Sequence, residues 1–208
     1  MIIQKISFRD QVKDLLIQEI IDGNILTGQK LSLVELSKKM GVSVTPVREA
    51  LTQLQESGII TYKLNQGFYI KKINPTEAKD IYEVISYLEG LAIKQSVFTT
   101  QIITDLKELQ KDLQRTMTPL ERQKIDYKFH NTLIQGYSNE NIKSVLENLK
   151  ATVYIIELEY MKTDYVNISN TTHLNIIKLI ENKKANEACK ELQEHWKLSY
   201  DFLKKCEL

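Results

Sequence analysis

Apolar residues recur at helical spacing along most of this chain. Residues 8–23 carry apolar Val12, Leu15, Leu16, Ile20 and Ile21 at helical spacing, and Gly23 follows as a helix-ending residue. "NILTGQKLS" then reads as a loop. Ser32 can cap a second helix, "LVELSKKM", which stops at Gly41. Glu35 in its first turn and Lys38 and Lys39 in its last agree with the helix dipole. A third helix begins inside "MGVSVTPVREALTQLQESGII" and runs to about Ser57, with Gly58 as its stop. Ser43 or Thr45 can accept a backbone N–H at its start, and Pro46 preorganises the first turn. Val47, Leu51 and Leu54 form its inward stripe, with Arg48 and Gln53 on another side.

The period then changes. Residues 59–63 and 68–72 are rich in Ile and Tyr and read as two short strands around "LNQG". Asn65 and Gly67 tolerate the positive φ of a tight turn. "NPTEAKD" follows, with Pro75 as punctuation and Asn74 or Thr76 as a cap for the next helix. Beyond it the helical period continues through 75–97, 102–115, 118–136, 139–162, 167–182 and 184–205. The predicted fold class is therefore mostly α. A winged helix-turn-helix occupies 1–73, and an all-α bundle of six helices joined by short loops occupies 74–208.

Composition adds little except direction. Net charge is +1 over 208 residues, so the molecule is no polycation. Residues 1–73 carry 10 Lys and Arg against 7 Asp and Glu, and the remainder 18 against 20. That tilt suits an N-terminal half that meets a polyanion. Cys189 and Cys206 fall far apart on one predicted helix, so they cannot pair within the chain, and a reduced, cytoplasmic protein is expected. No secretion signal is legible, and no run of about 20 apolar residues is present to span a membrane.

A helix that enters the major groove needs a fixed N-terminus, because its first residues approach bases and phosphates. The glycine turn, the capped helix and the hairpin together supply one, with Lys63, Asn65 and Gln66 on the hairpin able to reach the backbone or minor groove. The run G-V-S-x-T-P-V-R-E-A-L-x-x-L-x-x-x-G-I-I over 41–60 closely resembles the DNA-binding domain of the GntR family of bacterial transcription regulators, across about residues 8–73. The resemblance implies operator contacts from the recognition helix, at Ser43, Val44, Thr45, Pro46 and Arg48, and from the wing, at Gln66 and Gly67. It also implies a homodimer on double-stranded operator DNA. Val44 stands where the family usually has an arginine. Valine donates no hydrogen bond, though it can touch a thymine methyl, so the usual operator sequence does not transfer.

The three histidines, His130, His173 and His195, all fall in the predicted bundle. Asp126 and His130 are four apart and share a helix face. His173 follows the face of Ile177 and Ile180, and His195 that of Ala188, Leu192, Ser199 and Phe202. Each points inward from its own helix. Four such groups are costly to bury alone, and together they suit a divalent ion: Zn²⁺ or Ni²⁺ first, with Fe²⁺ and Mn²⁺ also accommodated.

"IYEVISYLEGLAIKQS", the Asp126/His130 pair, "THLNII" and "ACKELQEH" resemble the FCD ligand-binding domain of the FadR-type branch, with a length like the VanR-like group. That resemblance implies a metal on Asp126, His130, His173 and His195, with coordination sites open to a carboxylate effector or water. Ile85 replaces an arginine that usually faces the effector, and "LKATVYIIELEYMK" lacks inward arginines. A monocarboxylate, or metal without an organic ligand, is then expected rather than a dicarboxylate. Tyr82 and Tyr154 are candidate effector contacts, and Tyr160 another hydroxyl. The expected function is a DNA-binding regulator and not an enzyme. A purely structural metal is the alternative, and a metal-dependent hydrolase a remoter one, since no general base or substrate clamp is spaced for it.

Overall fold

The computed structural model describes residues 7–72, 74–116, 118–160 and 166–205. The chain divides into two compact units, Met1–Lys72 and Ile73–Leu208.

In the first unit, α1 (Phe8–Ile21) opens with the Ser7 hydroxyl accepting the Asp10 amide at 3.1 Å. It buries Val12, Leu16 and Ile20. Ser32 caps α2 (Leu33–Met40) through the Glu35 amide at 3.3 Å. Gly41 ends that helix in the left-handed region, at φ 66, where a side chain would be strained. The turn delivers α3 (Val44–Glu56), whose Val47, Ala50, Leu51 and Leu54 are buried.

Three antiparallel strands complete the unit in the order β1-β3-β2. The expected hairpin is β2 (Ile60–Lys63) against β3 (Gly67–Ile70), with Lys63 opposite Gly67 and Tyr62 opposite Phe68. Asn65 at φ 59 and Gly67 at φ 96 make the turn. The segment expected to be wholly loop contributes β1 (Lys30–Leu31), which pairs Lys30 with Tyr69 and Leu31 with Phe68. Two residues carry no period, so the pairing arises from the open edge of β3 and the burial of Leu31.

The second unit is α4 (Pro75–Gln95), α5 (Thr100–Arg115), α6 (Pro119–Leu133), α7 (Glu140–Tyr160), α8 (Val166–Glu181) and α9 (Ala185–Lys205). Asn74 caps α4 through the Glu77 amide at 2.8 Å, and Thr99 caps α5 through Ile102 at 3.2 Å. Helix α4 packs on α7 and α9, α8 on α5 and α9, and α6 on α5 and α7. Ile85, Ile93, Leu106, Phe129, Leu133, Leu146 and Ile176 are the centre of this core. Two glycines allow close approaches. A Cβ on Gly90 of α4 would lie 2.7 Å from Cys189 Sγ of α9, and one on Gly136 would lie 2.3 Å from the Val97 carbonyl oxygen. Cys189 is buried and free, while Cys206 lies outside the described residues. Among the described residues no helix is long and apolar enough to cross a membrane.

Candidate metal centre and nucleic-acid interface

The entrance of α3 differs from expectation in one respect. Ser43 is the N-cap by position, at φ −70 and ψ 165, but its hydroxyl makes no capping hydrogen bond. Thr45 is the second residue of the helix, so it cannot cap either. Pro46 falls at the third position, where a backbone N–H would have no helical partner. Ser43, Thr45 and Arg48 are exposed, and Val44 is half-buried. The Arg48 backbone carbonyl accepts the Thr52 hydroxyl at 2.9 Å, and the residue itself is exposed. Gln53 does not share the Arg48 face. It is half-buried with Oε1 enclosed, because five residues along a helix rotate a side chain by roughly 140° from Arg48.

The wing reaches the same side. Arg48, Lys30, Ser32, Thr52 and Gly67 border one open cleft, so the recognition helix and the turn of the hairpin flank a common surface. Gln66 is exposed at the tip, and Lys63 holds its ammonium 4.7 Å over the Tyr69 ring.

In the bundle, His130 from α6, His173 from α8 and His195 from α9 converge, all buried. One nitrogen from each lies within 4.8 Å of the others. Asp126 stands beside two of them, with Oδ1 3.7 Å from His173 Nε2 and Oδ2 3.9 Å from His130 Nε2. Phe129 stacks on the His173 ring with centroids 4.1 Å apart and planes 18° from parallel, which sets that ring's orientation. His130 Nε2 and both nitrogens of His173 are buried without a hydrogen-bond partner. A buried imidazole nitrogen left unpaired is expensive, and a borderline divalent ion is the partner that neutral imidazoles satisfy. The residues present therefore fit such an ion.

Burial, the His195 imidazole and the His130 imidazole hold His173 well below the usual histidine range. Burial and His130 likewise bring His195 down to about 3, against a smaller opposing pull from Glu89. Burial pushes Asp126 up to about 6, with Glu89 adding to the rise and His130 and Lys150 opposing it. The cluster thus sets two imidazoles held toward the neutral form, His173 and His195, beside a weakened acid.

Sequence reasoning missed Glu89, Lys150, Glu157 and Trp196. Glu89 of α4 is fully buried, and its Oε2 lies 2.9 Å from His130 Nδ1 and accepts Trp196 Nε1–H at 2.9 Å. Its Oε1 is 2.6 Å from Lys150 Nζ, which also donates to Asn131 Oδ1 at 3.0 Å. Burial alone would raise the Glu89 carboxyl, but Lys150 and His130 outweigh it and hold it at about 2. A signal existed: Leu146, Lys150, Val153 and Glu157 are spaced four, three and four, which is one helix face with two charges on it.

Tyr82 is buried and donates to Glu157 Oε1 at 3.1 Å, while the Tyr154 and Tyr160 side chains lie outside the described residues. Burial and the nearby Asp126 push Glu157 well above the usual carboxylate range, the Tyr82 hydrogen bond opposing and Glu89 adding. A cavity of about 20 Å³, room for one water, opens between Asp126, His130, Lys150, Glu157 and Trp196. Ile85, at the position where the resemblance leads one to expect an arginine, is fully buried.

A winged helix-turn-helix followed by a helical bundle with a buried imidazole cluster is the architecture of a DNA-binding regulator that carries a second, all-helical domain. Residues 8–70 match the family described as bacterial regulatory proteins, gntR family, and residues 80–198, more than half of the chain, match the FCD domain. The chain belongs to the GntR family of DNA-binding transcriptional regulators, in the branch that carries an FCD effector-binding domain. It is 26% identical to the Nta operon transcriptional regulator of Aminobacter aminovorans over 178 residues, 84% of each chain. It is also 26% identical to the HTH-type transcriptional repressor RspR of Escherichia coli over 196 residues, 89% of this chain and 84% of that one. The structure of E. coli McbR/YncC superposes with a TM-score of 0.85 at 19% identity, covering 98% of this chain and 100% of that chain.

Proposed function

We propose that this regulator binds a two-fold operator as a homodimer and that a divalent metal in the bundle conditions its DNA affinity. Ser43, Val44, Thr45, Pro46 and Arg48 would face the major groove, with Gln66 and Gly67 of the wing alongside. Two copies would then read half-sites about one helical turn apart. Asp126, His130, His173 and His195 would hold the metal, Zn²⁺ or Ni²⁺ in preference to Fe²⁺ or Mn²⁺. The observation that carries this reading is the trio of buried imidazoles, two of which, His130 and His173, have orphaned nitrogens. When bound, the metal would supply a charge shared by ligands from α6, α8 and α9 and could accept a further ligand oxygen.

The effector class proposed for that further ligand position is a small monocarboxylate, for which the one-water cavity would have to widen. Lys150 is the cation that borders the cavity, and Glu89 already neutralises it. Among the described residues a second carboxylate would find no spare cation there. The size of the cavity favours a second reading, in which the metal is structural and the bundle serves to dimerise.

Thermal melting with small carboxylic acids, with and without chelator, separates the two. Sensing predicts a metal-dependent rise, about 2.7 kcal/mol of added stability at a hundredfold excess over Kd. Absence of a shift with every acid, alongside a large metal effect, would leave the structural reading.

A further inference from the structure

We propose that Glu89 is the positioning residue for the metal centre: it fixes His130 in the tautomer that can bind metal and ties α4 to a cluster built from α6, α8 and α9. The inference rests on the metal reading above.

Glu89 is not among the mutually close ligand atoms, yet His130, Trp196 and Lys150 converge on it. The Trp196 indole is a donor only, so Oε2 must accept from it. Lys150 Nζ, 2.6 Å away, keeps the other oxygen facing a cation. A carboxylate held this way has only lone pairs to offer, so His130 Nδ1, at 2.9 Å, must carry a hydrogen. In a neutral imidazole the lone pair then sits on Nε2. That atom is the buried one without a partner, 3.9 Å from Asp126. The opposite tautomer would put hydrogen where metal must bind and set two lone pairs against each other at Glu89. Carboxylates that receive the far N–H of a metal-binding histidine act in this way generally.

Asn131 and Lys150 complete the device. Without Lys150, Glu89 would be a buried charge with no cation. Asn131 holds the ammonium at 3.0 Å and lies one residue from His130 on α6. The chain of contacts therefore leaves α6 at Asn131, passes through α7 and α4, and returns to α6 at His130. Trp196 is the chain's one tryptophan, and its ring centroid is 4.6 Å from that of His130. Its fluorescence is a direct reporter of this node.

The test uses the full-length protein, stripped with chelator and titrated with Zn²⁺. Wild type should show a saturable change in tryptophan fluorescence. Failure of wild type to bind Zn²⁺ at all would overturn the metal reading itself. The variant Glu89→Met/Lys150→Met keeps charge balance and approximate volume but removes the acceptor that faces His130 Nδ1. It should bind Zn²⁺ 10–100-fold more weakly. Affinity within twofold of wild type would show that Glu89 is merely structural. Should that variant not fold, ¹⁵N NMR of metal-free wild type decides: His130 protonated at Nδ1 is expected, and protonation at Nε2 would overturn the assignment.

Discussion

His173 Nε2 and Asp126 Oδ1 stand 3.7 Å apart, from α8 and α6, in a part of the core closed to solvent. Neither nitrogen of that imidazole has another partner. Replacing His173 with alanine should therefore remove metal and leave a foldable bundle. Elemental analysis of purified wild type and His173→Ala should show at least a tenfold fall in bound metal. Equal content in the two proteins would sink the proposed ligand set.

The pH dependence of the metal-free protein should carry the mark of His195. Its folded value, about 3, lies below the ordinary 6.5, so the fold favours the neutral ring. That contribution is complete above pH 6.5 and is lost as pH falls toward 3. Asp126 and Glu157, raised by burial, act in the opposite sense, so the group is isolated by difference. The stability of wild type minus that of His195→Gln, both in chelator, should shrink by about 1 kcal/mol per pH unit across that window. A difference independent of pH would mean that His195 is hydrated in solution.

Arg48 is exposed on α3 and bears on no core contact, so its loss should spare the fold. Arg48→Ala should weaken binding to a duplex selected from a random pool roughly 5–150-fold at physiological salt, a loss of about 1–3 kcal/mol. Its melting temperature should match wild type. Undiminished affinity would exclude the docking proposed for α3.

Gly136 is a position of backbone contact. Its carbonyl accepts the Val97 amide at 3.1 Å, and an added Cβ would meet the Val97 carbonyl oxygen at 2.3 Å. That neighbour is backbone and cannot swing aside. Gly136→Ala should cost about 1–3 kcal/mol, read as a lower urea midpoint with unchanged slope. Wild-type stability in this variant would show that the α6–α7 connection yields freely.

Much of this was legible in the chain. The helices of both units follow from apolar spacing, because a 3.6-residue period is a local property. Ser32 and Asn74 cap as expected, since a cap needs only a side chain and an amide three residues on. The convergence of His130, His173 and His195 was readable from the faces they occupy. Strand β1 was not, because Lys30 and Leu31 are a strand only where β3 offers them an edge. The Ser43 cap was not legible either: the residue occupies the N-cap place and is exposed, but its hydroxyl makes no capping hydrogen bond.

The amino-acid sequence by itself determined the two units, the family and the inward-facing histidines, all of which rest on spacing and short-range motifs. Only the tertiary structure decided what becomes of Glu89 and Lys150. Each is a charge that would ordinarily be solvated, and they lie 61 residues apart in the chain. Whether such a charge is an exposed ornament or the fixed support of a buried histidine depends on which opposite charge folding brings to it. No local pattern contains that information, because the energy of the pair exists only once water has been excluded around both.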